Sequence, residues 1–229
     1  MSRVKGFTLI ELMLAMSFVG VLLLGIAMTT IQISNIYTKG LTLREVNQAG
    51  RSVSDDLKRS IASSPMFDAD PTSDTAKYIV RDGGGRLCVG RYTYAWNYGS
   101  ALRGGTGAPA VVNSYDDGQA VRFAKVDDPS AALCADPTVA IPRANANELL
   151  SASDRDLAVH KLTLSEGAKD TQTGQALYAI SLIIGTNDKA QLTTNDTSCK
   201  PPAGDGGEIY CSVNQFDIIA RAGNNTEGE

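Results

Sequence analysis

The sequence predicts an α+β chain: a long N-terminal helix, its first half able to span a membrane, packed on a C-terminal antiparallel β-rich globular domain. Three observations carry this. An apolar run from Leu12 to Met28 follows a short leader that holds Arg3 and Lys5 and no acid. Past Thr29, apolar residues recur at three- and four-residue spacing with no helix breaker before Pro65. Beyond Pro65 come short β-branched and aromatic stretches punctuated by Gly, Asp and Pro. The expected divisions are 1–6 leader, 7–33 membrane-embedded half of the helix, 34–64 amphipathic half, and 65–229 extracytoplasmic domain.

From Phe7 to about Met28 the segment is apolar all round, as a helix in lipid must be. Gly20 and Gly25 lie within it, and small residues let neighbouring helices approach closely. One acid, Glu11, stands near its start. An ionised carboxylate at the centre of such a helix costs roughly 2.5–3.5 kcal/mol on insertion scales, so an acid kept in the segment marks a function. An ordinary secretory signal has a shorter apolar region, of about 7–15 residues, and a small-x-small cleavage site, which is not evident here. A generic signal anchor accounts for the apolar run and the basic flank, but not for Glu11 or the Gly6-Phe7 junction. Arg3 and Lys5 place the N-terminus in the cytoplasm and everything after about Ile33 outside.

The second half of the helix reads differently. Val46, Gly50, Val53, Leu57 and Ile61 form one stripe, while Asn47, Gln48, Arg51, Asp55, Asp56, Lys58 and Arg59 fill the other sides. Asp55 and Arg59 are spaced to pair on the surface. Pro65 and the Asp-Ala-Asp-Pro stretch after it end the helix. One helix from Phe7 to about Ser63 would run roughly 85 Å.

In the domain, Tyr78–Val80 and Leu87–Tyr98 read as strands separated by Asp82-Gly83-Gly84-Gly85. Ser100–Ala108 is a glycine-rich loop, Asp116-Asp117-Gly118 a turn, and Ala120–Val126 the next strand. Asp127–Ser153 is irregular, with one helical turn around Ala144–Leu150. Leu157–Leu164 and Ala176–Ile184 are the clearest strands. Glu208–Val213 and Gln215–Ala222 close the chain as a hairpin or as adjoining strands, and Asn224–Glu229 should fray. Tyr92, Tyr94, Trp96 and Tyr98 alternate, which puts four rings on one face, buried by default and otherwise an aromatic patch.

Composition narrows the function. The net charge of -4 and the absence of a basic run argue against nucleic acid as the main partner. Cys88, Cys134, Cys199 and Cys211 lack zinc spacing and fit a disulfide framework outside the cytoplasm. Of the three possible pairings, sequence order favours Cys88–Cys134 with Cys199–Cys211 and leaves the others open. His160 is the sole histidine, set in a strand pattern without a nucleophile elbow, and is read as structural. The glycine runs at 83–85 and 104–107 match no phosphate loop. Asn187-Asp188 and Asn195-Asp196 offer oxygen ligands without calcium spacing and are read as turns. No enzyme, cofactor or metal is expected.

Leader, glycine, Phe7-Thr8-Leu9-Ile10-Glu11 and apolar run, together and in order, resemble the class III signal of type IV pilins and of the related type II secretion pseudopilins. The resemblance is specific over about Lys5–Ile33. It implies a lollipop plan, cleavage between Gly6 and Phe7 by prepilin peptidase, N-methylation of Phe7, and a role for Glu11 in recruiting the subunit into a filament. The implied partners are prepilin peptidase, other minor and major pilins, and the inner-membrane assembly platform. Most family members carry a glycine where Gly20 stands. Many major pilins have a proline further along this segment, and here there is none, which argues against the bulk filament subunit. Gln48-x-Gly50-Arg51 through Asp56-Leu57-x-Arg59 resembles the W-type minor pilins (PilW family) and the J-type pseudopilins, and Tyr210-Cys211-x-Val213-x-x-Phe216-Asp217 is closer to the W-type. The implied function is a minor pilin that helps start or cap a pilus in support of adhesion or motility. A J-type pseudopilin and a signal-anchored binding domain are the alternatives.

Overall fold

The structure, a computed structural model, describes residues 8–73, 75–150, 155–201 and 210–223. Helix α1 (Leu9–Ala62) dominates it. Its 54 residues span about 81 Å at 1.5 Å per residue. It starts because Thr8 is extended and caps it, and it ends at Ser63, whose N–H bonds to Arg59 at 3.0 Å just before Pro65. The first buried residue of α1 is Thr42. In the earlier part, polar hydroxyls turn back on the helix's own carbonyls: Ser17 to Leu14 at 3.0 Å, Thr30 to Ile26 at 2.8 Å, Thr38 to Ser34 at 2.9 Å. A helix in hydrocarbon has no water for such groups, and Ser17 and Thr30, within 7–33, would be satisfied there by the helix itself.

Two antiparallel sheets follow, one of five strands in sequence order and one of three. The first holds β1 (Tyr78–Arg81), β2 (Gly84–Val89), β3 (Tyr92–Asn97), β4 (Phe123–Asp127) and β5 (Ala146–Glu148). The second holds β6 (Leu157–Asp170), β7 (Gln175–Thr186) and β8 (Val213–Ala222). A parallel bridge between Tyr98 and Val159 joins the two sheets. Two short helices, α2 (Gly99–Arg103) and α3 (Ala132–Ala135), lie in the connections.

The main core lies among Val53, Leu57 and Ile61 of α1, Tyr94 and Trp96 of β3, Phe123 of β4, and Tyr178, Ile180 and Leu182 of β7. A smaller cluster around Tyr115, Val121 and Ile141 contains Ala95 and Ala124, so β3 and β4 are buried on both faces. Tyr92 and Tyr98 pack at the edge of the main core, so the alternating rings form core and no exposed patch. Gly85 has a steric reason: a Cβ there would sit 2.5 Å from the Trp96 ring.

Several local expectations are corrected. The Leu87–Tyr98 stretch is two strands folded back at Gly90-Arg91, because Gly90 adopts a left-handed φ of 55° that a glycine takes without strain. The first turn is confined to Asp82-Gly83, with Gly84 and Gly85 paired in β2. Ser100–Arg103 is helical, and only its continuation is loop. The strand expected from Ala120 begins at Phe123. The helical turn around Ala144 is a single 3-10 turn at Arg143–Asn145, after which β4 recruits Ala146–Glu148 as a short strand. The closing hairpin is one strand, β8, since Ser212 instead bonds with Thr186 at the end of β7. Glu208 and Asn224–Glu229 lie outside the described residues. Asp55–Arg59 is not among the ion pairs of the described residues; neighbouring Asp56 pairs with Lys125.

Candidate functional site

The first half of α1 is the feature that sets the molecule apart. From Leu9 to Ile36 its large apolar side chains are exposed, Leu9, Ile10, Val21 and Ile36 each by more than two thirds of their surface. This is one helix long and apolar enough to cross a membrane, by length and composition. An apolar surface this continuous must be covered by lipid or by other helices.

Glu11 sits at its start in a defined geometry. The Thr8 N–H donates to Glu11 Oε2 at 3.0 Å, the Thr8 hydroxyl donates to the same oxygen at 2.7 Å, and the Glu11 N–H approaches Thr8 Oγ1 at 3.4 Å. That is a capping box, and its signature, Thr followed three residues later by Glu, was legible in the sequence. The carboxylate thus faces the amide end of its own helix, where positive dipole accumulates. Gly6 and Phe7 lie outside the described residues.

The second half of α1 fixes the helix to the domain. Gly50 lies against Phe216 of β8: a Cβ at Gly50 would stand 2.1 Å from that ring. The two stretches that carry the W-type resemblance therefore meet. Asn214 donates to Asn47 at 2.8 Å, and Arg155 pairs with Glu45 at 3.2 Å. Asp56 accepts from the Tyr94 hydroxyl at 2.6 Å and from Lys125 at 3.0 Å, while Ser60 bonds the same hydroxyl at 2.6 Å. Burial raises the Tyr94 phenol above its ordinary range, and the Asp56 carboxylate raises it further. Sequence reasoning missed this network, because helix spacing shows that Asp56 stands off the buried stripe but not which strand it meets.

The cysteines pair as Cys88–Cys134 and Cys199–Cys211. The first ties β2 to α3, and the second closes a loop onto the start of β8. Arg86 is a further hub with no sequence signal. It is buried in β2 and donates to Asn113 Oδ1 at 2.6 Å and to the carbonyls of Leu133 and Val139 at 2.8 and 2.7 Å. Burial lowers its guanidinium from the ordinary value.

His160 falls at a bulge in β6, which turns it inward beside Val159. Its Nε2 lies 3.0 Å from the Thr186 carbonyl. Burial pushes the imidazole below its ordinary value. The oxygens of Asn187 and Asp196 accept from the Arg103 guanidinium, and Asp188 caps a turn by accepting from Ala190 N–H at 2.9 Å. Asn195 is exposed.

Against this geometry stand the comparisons with known proteins. The prokaryotic N-terminal methylation motif matches residues 1–29. That match supports a type IV pilin or pseudopilin. The prepilin-type leader implies processing by prepilin peptidase and assembly with other pilins, and it speaks for a structural subunit rather than an enzyme. With the apolar helix, it is consistent with a single-pass membrane anchor. No curated protein and no solved structure matches the chain.

Proposed function

We propose that the chain is a minor pilin of a type IV pilus, made with a leader that is cut between Gly6 and Phe7. Phe7 becomes the methylated N-terminus. The helix half 7–33 holds the subunit in the inner membrane with its N-terminus in the cytoplasm, and later lies in the filament core. Residues 34–64 seat it on the extracytoplasmic domain 65–229. Glu11 recruits the subunit by pairing with the N-terminal amine of a neighbour, and the assembled subunit starts or caps the filament beside other minor and major pilins on the inner-membrane platform.

One observation carries this reading: a helix that is apolar and exposed from Leu9 to Ile36 is headed by a lone acid and continues without a break into a domain-bound half. The absence of proline in the apolar run and the W-type resemblance at Gln48–Arg59 and Tyr210–Asp217 support a minor role. Mass spectrometry of the mature chain tests processing, with a methylated Phe7 as the expected first residue. Sheared pili test the assignment: the chain should be found in them, and its presence only in a secretion pseudopilus would replace the pilus reading with the J-type one.

A further inference from the structure

The end of the domain that the course of α1 turns toward the membrane carries a cleft with basic side chains. Asn47 bonds Asn214 at the start of β8, while the Gly223 N–H beyond its other end bonds the Ser64 carbonyl at 2.8 Å. Strand β8 therefore runs alongside α1 in the same direction, and the end near Asn47 points toward the apolar half. Gly185 pairs with Val213, so the loop that begins at Asn187 leaves the sheet about 7 Å below Asn214, level with Thr42.

At that end lies a cleft of about 390 Å³ between the 100–109 and 189–200 loops, lined by Arg103, Lys189, Lys200, Thr106, Thr193 and Asp196 among others. Asp196 is held by Arg103. Lys189 and Lys200 are exposed and enter no ion pair among the described residues; Lys200 is positioned by a 2.8 Å bond to the Ala190 carbonyl. The N–H groups of Gly105, Thr106 and Gly107 have no backbone acceptor among the described residues. Lys39 and Arg44, both exposed, stand on the adjoining stretch of α1. The far end mixes signs: Asp68, Asp70 and Asp170 accept bonds from their own turns, and Lys169 and Arg221 stand beside Asp170.

We infer that the cleft lined by Lys189 and Lys200 docks on anionic lipid headgroups of the membrane that α1 enters, with a headgroup phosphate taken up beside those two lysines. The reach allows it. From Met28 to Thr42 is 14 residues, about 21 Å of helix, of which the headgroup layer takes roughly 5–8 Å. Flexible lysine stems and an ordinary helix tilt of about 20° bring the ammonium groups near one Debye length, ~8 Å, of the surface. Nucleic acid fits less well, because no aromatic ring lines the cleft for base stacking. The inference rests on the membrane-anchor part of the proposed function, and not on the filament part.

The test is amide exchange of the full chain, one copy per nanodisc, in phosphatidylcholine and in phosphatidylglycerol–phosphatidylcholine mixtures. Exchange across 188–200 should slow at least threefold in the acidic discs. It should return to the neutral-lipid rate in Lys189→Glu/Lys200→Glu or in 1 M salt, where the Debye length is about 3 Å. Equal exchange in both lipids overturns the inference, as does protection that survives the double variant. Inorganic phosphate added to the neutral discs should not reproduce the protection; if it does, the cleft takes free phosphate and the lipid assignment is wrong. Protection that needs several copies per disc assigns the cleft to a contact with a second copy and likewise overturns it. A chain that fails to insert at all refutes the anchor reading, and an unchanged melting temperature in the double variant shows that the fold is retained.

Discussion

Two halves of one helix obey different rules. Up to Leu41, α1 has no buried residue; from Thr42 to Ala62 it buries Thr42, Val46, Gly50, Val53, Leu57, Ser60 and Ile61. The first half buries no residue in the domain and keeps its hydroxyls on its own carbonyls. The second half is stabilised by what it touches: the core, Phe216, and the Asp56–Tyr94–Lys125 network. Continuity of the backbone therefore does not mean continuity of energetics. Mutations in the two halves should read out in different assays, and that separation is the comparison to break.

The largest effect belongs to the seam. Leu57 is fully buried among core side chains, so Leu57→Ala should destabilise the domain by about 2–5 kcal/mol. Leu23→Ala, in the exposed half, should leave domain unfolding unchanged. Denaturant titration of the domain signal in micelles measures both, and equal shifts would erase the distinction between the halves.

Next comes the polar bond across the seam. Tyr94→Phe removes the hydroxyl that bonds Asp56 and Ser60, at an expected loss of about 1–3 kcal/mol, since both partners are then left short of a bond in a half-buried place. Asp56 keeps Lys125, which keeps the loss toward the lower end of that range. Combining Tyr94→Phe with Lys125→Met should exceed the sum of the singles if the three groups act as one network.

A smaller effect is pH-dependent and lies away from the helix. His160 has its folded value lowered by burial, so in this pH range the unfolded chain binds the proton more readily. Its contribution is fully present above the ordinary value of 6.5 and declines as pH falls from there toward the folded value. Stability measured between pH 7.5 and 5 should fall with acid, and His160→Gln should flatten that slope.

How much could be read beforehand differs along the same divide. The helix, its stripe and its end at Pro65 were legible because a 3.6-residue period and a proline act locally. The partners of that stripe were not: Phe216 lies 166 positions beyond Gly50, and no period links them. In the domain, β6 and β7 showed through their alternating apolar residues, whereas the short strand at Ala146–Glu148 exists only because β4 offers it an edge. The inward turn of His160 at a bulge and the hub at Arg86 are likewise products of tertiary register. At the candidate site, Glu11 stood out by its cost in lipid, while its bond to Thr8 needed the capping signature to be weighed as well.

The smallest effect on the chain itself is the most informative. In the isolated subunit Glu11 caps its own helix, and a glutamine at the same place can keep the bonds to Thr8, because a capping box accepts either residue. What Glu11→Gln loses is charge near the helix start, about 0.3–1 kcal/mol at most. It also removes a charge that is expensive in hydrocarbon, so insertion should be no worse. If capping is the whole role, Glu11→Gln is silent in filaments and Glu11→Ala, which breaks the box, is worse. If the carboxylate recruits a neighbour through its cationic N-terminus, both variants are processed normally and both fall out of sheared filaments, Glu11→Gln as severely as Glu11→Ala. The ranking of the two variants, measured in membranes and in filaments side by side, separates a local cap from an intermolecular charge pair. Wild-type incorporation of Glu11→Gln would leave the acid as a cap and remove recruitment from its role.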